Sequence, residues 1–215
     1  MRLLATIWIL FISFLELLFV FMHPRLWRFY IFFQFEYFFF SPYHYADKGA
    51  QDDYVFGYTP LFSFNSIFKK ARKYFYQQSD YPLAFCDAGC GDGRGLFLVS
   101  ILHRRPVCGM EMNKRFVDRM MFMKTLVNKR HIMVVGDDMF NSEFDGYGII
   151  FITWTTFKND TEKRLIQKLE KEVMKGAIIV TLSYPIESES FEQLATKNIL
   201  TSWGKSTAFF QRKIK

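Results

Sequence analysis

A run of alternate glycines flanked by carboxylates carries the clearest chemistry in this chain. Asp87-Ala88-Gly89-Cys90-Gly91-Asp92-Gly93-Arg94 follows the apolar Ala84-Phe85-Cys86, the order expected of a strand, a tight turn and a helix. Glycine serves where the backbone must take positive φ or come close to a ligand. At the end of the first strand of a doubly wound sheet, such a turn faces the ligand crevice. The competing dinucleotide turn, G-x-G-x-x-G, sets a pyrophosphate on a helix N-terminus. Here Asp87 precedes the first glycine and Asp92 lies inside the turn. At a few Å in a partly buried site, each would repel a diphosphate by on the order of several kcal/mol. The pair suits a cation. Glu111 ends the apolar Val107-Cys108-Gly109-Met110, 24 positions after Asp87. That is near the spacing of about 20 at which an acid on the second strand meets ribose hydroxyls; a surface acid at a strand end is the plainer alternative.

Asp87 to Arg94, with Glu111 in register, resembles the first motif of class I methyltransferases, whose cofactor S-adenosylmethionine (AdoMet) carries a sulfonium and an ammonium but no phosphate. The resemblance covers residues 54 to 215. It implies an α/β fold, a Rossmann-like seven-stranded sheet with helices on both faces, with Asp87, Gly89, Gly91, Asp92, Gly93 and Glu111 around the cofactor. It also implies that Asp137 or Asp138 receives the adenine amino group while Met139 covers the ring; an Asp pair capping a turn is the alternative.

The layout, with Tyr58-Thr59-Pro60 ahead of a helix and an apolar N-terminal segment, resembles the membrane-anchored lysine methyltransferases that modify the c subunit of ATP synthase, and their bacterial relatives. An acceptor lysine must lose its proton, which a desolvating aromatic site promotes. In this reading Tyr58, Trp154 and Phe157 form that wall, and Thr153 or Thr155 supplies a hydrogen bond. The segment Thr153-Trp154-Thr155-Thr156-Phe157 lacks the [Asn/Asp/Ser]-Pro-Pro-[Tyr/Phe] tetrapeptide of enzymes acting on exocyclic base nitrogens, which argues against DNA adenine or a glutamine amide. A lipid or quinone acceptor, or a non-catalytic subunit that keeps this fold, are the other readings.

The elements that position these residues follow from periodicity. Phe64, Ile67, Phe68, Ala71 and Phe75 form one stripe of a helix over Phe62 to Gln77. Helices are expected over Leu96 to Leu102, Lys114 to Lys129 and Thr161 to Met174. Strands are expected at 107–111, 131–136, 147–154 and 177–182. A short helix over Ser190 to Lys197 and a closing hairpin, Ile199 to Trp203 with Thr207 to Lys213, complete the chain. Met120, Met121 and Met123 read as core filling.

The N-terminal part is unlike the rest. Leu3 to Met22 is interrupted only by Thr6, Ser13 and Glu16, the length a helix needs to cross about 30 Å of hydrocarbon, and no small-residue cleavage site follows it. The expectation is a single membrane span, with Glu16 snorkelling to the interface or meeting another membrane protein. Leu26 to Tyr45 is aromatic but broken by Arg28, Gln34, Glu36 and His44, and reads as an interfacial helix; a second span is the alternative. Residues 1–45 thus form the anchor, 46–53 the linker and 54–215 the methyltransferase domain. Arg25 and Arg28 against Arg2 lean the domain to the cytoplasmic side, or the matrix side in a mitochondrion.

The net charge of +7 reads first as solvated surface charge, with attraction to anionic head groups as the next reading. A membrane-protein substrate is expected and no nucleic-acid partner, since no RRM, zinc-finger or helix-turn-helix signature is present. Cys86, Cys90 and Cys108 have no metal-ligand spacing, so no metal is expected.

Overall fold

The computed structural model describes residues 2–39, 57–76, 84–129, 131–157 and 159–215. The expected 46–53 linker lies outside the described residues. The elements are α1 (Arg2–Phe21), a 3-10 turn (Pro24–Leu26), α2 (Trp27–Phe39), α3 (Leu61–Tyr76), β1 (Phe85–Ala88), α4 (Arg94–Leu98), β2 (Val107–Met110), α5 (Lys114–Val127), β3 (Ile132–Val135), β4 (Ile149–Thr153), α6 (Asn159–Glu172), β5 (Ile178–Leu182), β6 (Phe191–Thr201) and β7 (Gly204–Lys213). Beyond α4 the helix widens into a π turn at Val99–His103.

The seven strands form one sheet in the order β3-β2-β1-β4-β5-β7-β6. The first five are parallel, while β7 runs antiparallel to β5 and to β6. The chain winds outward from β1 to β3, then returns past β1 to β4. The strand order therefore reverses between β1 and β4, where an open α/β sheet forms its ligand crevice.

Strands β1, β2, β4 and β5 are apolar on both faces because helices cover both; at the edge, β3 leaves Met133 exposed. Phe85, Ile149, Phe151, Ile178 and Val180 point to the side packed by α2, α3 and α4, and Cys86, Ile150, Ile152 and Ile179 to the side packed by α6. Helix α3 buries Leu61, Phe64, Ile67, Phe68, Ala71 and Phe75, a stripe of three and four residue steps. Asn113 caps α5 by accepting from the Arg115 amide at 3.0 Å.

One expectation is corrected. The helix predicted over Ser190 to Lys197 is the first half of β6. Glu192, Gln193, Leu194, Ala195 and Lys197 favour helix locally, but this segment pairs with β7 from Phe191↔Lys213 to Lys197↔Ala208, through a bulge between Gln193 and Ala195. The bulge breaks the period-2 pattern by which the strand would have been recognised.

The N-terminal helices pack on the sheet domain. On α1, Ile12, Glu16, Phe19 and Val20 are buried, and the Trp8 indole donates to the Thr201 carbonyl at 2.9 Å. On α2, Phe29 stacks on Phe97 at 5.0 Å. The other side of α1 exposes Leu4, Ile7, Phe11, Phe14, Leu18 and Phe21, again at steps of three and four. Among the described residues, Leu4–Phe21 is the stretch long and apolar enough to cross a membrane.

Candidate functional site

The glycine turn joins β1 to α4 at the point of strand reversal. Gly89 and Gly93 both hold φ of +76°, a conformation that side chains resist. The Gly89 and Cys90 amides donate to the Met110 carbonyl at 2.9 and 3.0 Å, so the turn is strapped to the end of β2. Glu111 completes the strap. Its Oε2 accepts from the Gly91 amide at 2.8 Å and its Oε1 from the Asn113 amide at 2.8 Å. Its carboxylate retains acceptor capacity for a ligand hydroxyl. Gly109 lets α4 lie against β2, for a Cβ there would meet Leu96 Cδ1 at 2.2 Å and Cys90 Sγ at 2.7 Å.

Asp87 pairs in register with Gly109 of β2 and Phe151 of β4, and is 4% exposed. Burial pushes its carboxyl well above the usual range, and the charges of Asp92 and Glu111 push it further the same way. Glu111 is also raised by burial, opposed by its backbone hydrogen bonds. A turn that holds buried carboxylates at such cost is electrostatically prepared for a positive ligand.

Asp92 is bonded to an arginine of the same turn. Its carboxylate accepts from Arg94 Nε at 3.1 Å and Nη2 at 2.6 Å, and the Arg94 amide donates to Oδ1 at 3.2 Å. Its charge is thus directed at an arginine two residues on. Arg94 is 5% exposed, lies over the Tyr58 ring at 3.7 Å, and pairs with Glu16 of α1 at 3.6 Å. Burial opposes its charge, but Asp92 and Glu16 more than offset this and hold its pKa above the ordinary value. Tyr58 is fixed by exchanging hydrogen bonds with Ser202 in the β6–β7 turn at 2.9 and 3.0 Å.

After β3, Asp137 Oδ1 accepts from the Asp138 amide at 2.7 Å and from Asn141 Nδ2 at 3.0 Å, and Asp138 Oδ1 accepts from the Phe140 amide at 3.0 Å. Both acids cap their own turn. Met139 is buried, and its Cε lies 3.4 Å from where a Cβ on Gly89 would stand, which brings it to the glycine turn.

At the end of β4, Thr153 is half-buried. Trp154 is 3% exposed, packs with Ile150 and Ile152 on the α6 face, and donates its indole N–H to the Tyr184 carbonyl at 3.1 Å. Tyr58 stacks on Arg94. Strand alternation holds the signal, since Trp154 falls in step with Ile150 and Ile152.

The local pattern gives Arg94 no role, and Glu16 reads from it as snorkelling to the interface or meeting another membrane protein. Glu16 instead turns inward, with Oε1 2.7 Å from the Leu61 amide. An acid in an apolar helix was the available signal; nothing local named its partner. A separate groove of about 630 Å³, lined by residues including Ser63, Ser66, Lys197 and Lys205, shares no residue with the turn. Among the described residues, no group of His, Cys, Asp and Glu is arranged to hold a metal ion.

No protein-family model and no curated protein matches the sequence. Solved structures match its fold. An RNA methyltransferase from Salinibacter ruber in complex with S-adenosyl-L-homocysteine superposes with a TM-score of 0.58 at 14% identity, over 73% of this chain and 93% of that one. TrmN from Thermus thermophilus gives 0.61 at 10% identity, over 81% of this chain and 52% of its own. MtNAS in complex with MTA and tNA gives 0.53 at 12% identity, over 71% of this chain and 61% of its own. The strand order, the glycine turn at the point of reversal and these superpositions together place the chain in the class I methyltransferase fold.

Proposed function

We propose that this protein is an AdoMet-dependent methyltransferase held at a membrane by its N-terminal helix, acting on a lysine of a membrane protein. The observation that carries the cofactor reading is the turn itself: glycines at positive φ, strapped across β2 by Glu111, beside a carboxyl that burial and like charges raise. A phosphate would add negative charge to that turn, and a cation relieves it. Neighbours of the same fold crystallised with AdoMet-derived ligands support the choice.

The residues present fit the cofactor. Asp87 would hold its ammonium, Glu111 its ribose hydroxyls, the amides and open faces of Gly89, Gly91 and Gly93 its backbone-facing edge, and Met139 its adenine ring. Asp137 or Asp138 would meet the adenine amino group through a carboxylate oxygen not already used in the turn. When bound, the cofactor supplies a methyl carbon activated by the sulfonium. The protein's part is alignment and a dry surround. Thr153 and Phe157, at the end of β4 next to the reversal, would face the acceptor; Tyr58 would act there through Arg94.

The membrane reading draws on the exposed Leu4, Ile7, Phe11, Phe14, Leu18 and Phe21. One face of α1 packs on the domain and the other is free for lipid, so the domain sits against the bilayer. A lipid or quinone acceptor would use the same placement. The test is incubation of membranes with the full chain and radiolabelled AdoMet, followed by separation of protein and lipid. Label on protein lysine supports the proposal, label in the lipid extract moves the acceptor to the second class, and the absence of any AdoMet binding in calorimetry refutes the cofactor reading.

A further inference from the structure

One buried ionic chain crosses from the N-terminal helix into the cofactor turn. Glu16 on α1, Arg94 at the first position of α4 and Asp92 within the turn are exposed by 3%, 5% and 4%. Glu16 Oε1 accepts from the Leu61 amide, the first of α3, at 2.7 Å, and lies 3.6 Å from Arg94 Nη1. Arg94 in turn grips Asp92 with Nε and Nη2, while its flat faces meet Tyr58 at 3.7 Å and Phe33 at 5.0 Å.

Neutralising one member of such a buried set leaves the others uncompensated, a far larger effect than at a surface pair. The guanidinium is held on one side by Glu16 and on the other by Asp92. A change on α1 therefore alters how firmly the arginine holds the turn. Most apolar anchors carry no acid at their middle, and this one is directed at the loop between β1 and α4.

We propose that Glu16 is a positioning residue for cofactor binding: through Arg94 it fixes Asp92 and hence the glycine turn, so that the apolar N-terminal helix is an integral wall of the cofactor unit. This rests on the reading of the turn as an AdoMet cradle. The consequence is that cofactor affinity and the seating of α1 on the domain are coupled, by thermodynamic reciprocity. Whatever dislodges α1 lowers affinity for the cofactor, and bound cofactor steadies α1.

The experiment is calorimetric titration of AdoMet into the full chain in detergent, for wild type, Glu16→Gln, Arg94→Gln and the double variant. Gln at 16 keeps the acceptor for the Leu61 amide and removes the charge. The expected result is AdoMet binding weakened about tenfold in Glu16→Gln, with KM for AdoMet raised and kcat at saturation kept. Because Glu16 acts through Arg94, its effect should largely vanish in the Arg94→Gln background. A purely structural Glu16 would lower the thermal midpoint in both backgrounds and leave the affinity of the folded protein alone. Wild-type affinity in folded Glu16→Gln, or an equal loss with and without Arg94, overturns the proposal. Should Glu16→Gln not fold, Glu16→Asp, which draws the charge back by one methylene, is read by the same criteria. If wild type itself shows no AdoMet binding, the reading of the turn fails and this one with it.

Discussion

Replacing Asp87 by Asn should separate what this residue does for the ligand from what it costs the fold. The side chain is isosteric and stays buried at the end of β1, but the charge is gone. A hydrogen bond to a charged group contributes about 1.5–3 kcal/mol, so AdoMet affinity should fall about 10- to 150-fold. Stability should move the other way. Burial, then Asp92 and Glu111, raise the carboxyl's pKa in the folded state. The protonated form is therefore the one the fold accommodates. Its stabilising contribution is full below the ordinary carboxylate pKa and is lost as pH rises through the raised folded value. The loss begins above the ordinary carboxylate pKa, so at neutral pH the ligand-free protein already bears part of it, and Asn removes it. The variant should show a higher thermal midpoint than wild type at neutral pH, a smaller difference near pH 4, and cofactor affinity that no longer declines as pH is lowered through the Asp87 titration. Calorimetry with AdoMet for affinity, and thermal unfolding across pH without added cofactor, measure the two effects. An Asn variant that binds AdoMet like wild type, or that is less stable at neutral pH, would refute the reasoning.

Other outcomes follow from the same geometry. Gly109→Ala places a Cβ 2.2 Å from Leu96 Cδ1; overpacking of this kind costs about 1–3 kcal/mol, read as a thermal midpoint lower by roughly 2–4 °C per kcal/mol in a chain of this size, with AdoMet binding weakened because α4 must shift. Trp154→Phe loses the bond to the Tyr184 carbonyl and should cost about 1–3 kcal/mol of stability while leaving methyl transfer per folded molecule within about twofold; a drop in acceptor turnover without a change in midpoint would return Trp154 to the acceptor site. His103, beside Asn65 at 2.8 Å, is pushed down to about 4 by burial and then by Arg72, Lys69, Arg105 and His23. The unfolded chain binds a proton at His103 that the folded chain refuses, so stability falls as pH drops from about 6.5 toward 4. His103→Gln should flatten that part of the unfolding profile, and an unchanged slope would exclude His103 as its source.

The amino-acid sequence by itself determined the elements whose signal is local. The strand, glycine turn and helix at residues 84 to 98, the second strand ending in Glu111, and the stripe of α3 all follow from periods of 2 or 3.6 and from glycine spacing, because each depends on neighbours within a few residues. From these the strand reversal and its crevice could be placed. Only the tertiary structure decided which groups meet across long distances. Glu16 reads as a membrane oddity until α1 is laid on α3 and Arg94; Asp92 reads as a ligand for a cation until that arginine claims it. Residues 191 to 197 carry helix-favouring side chains, yet a neighbouring strand with unpaired backbone groups draws them into β6. Charge partners and strand pairing are set by contacts between segments far apart in the chain, and a local pattern carries no record of them.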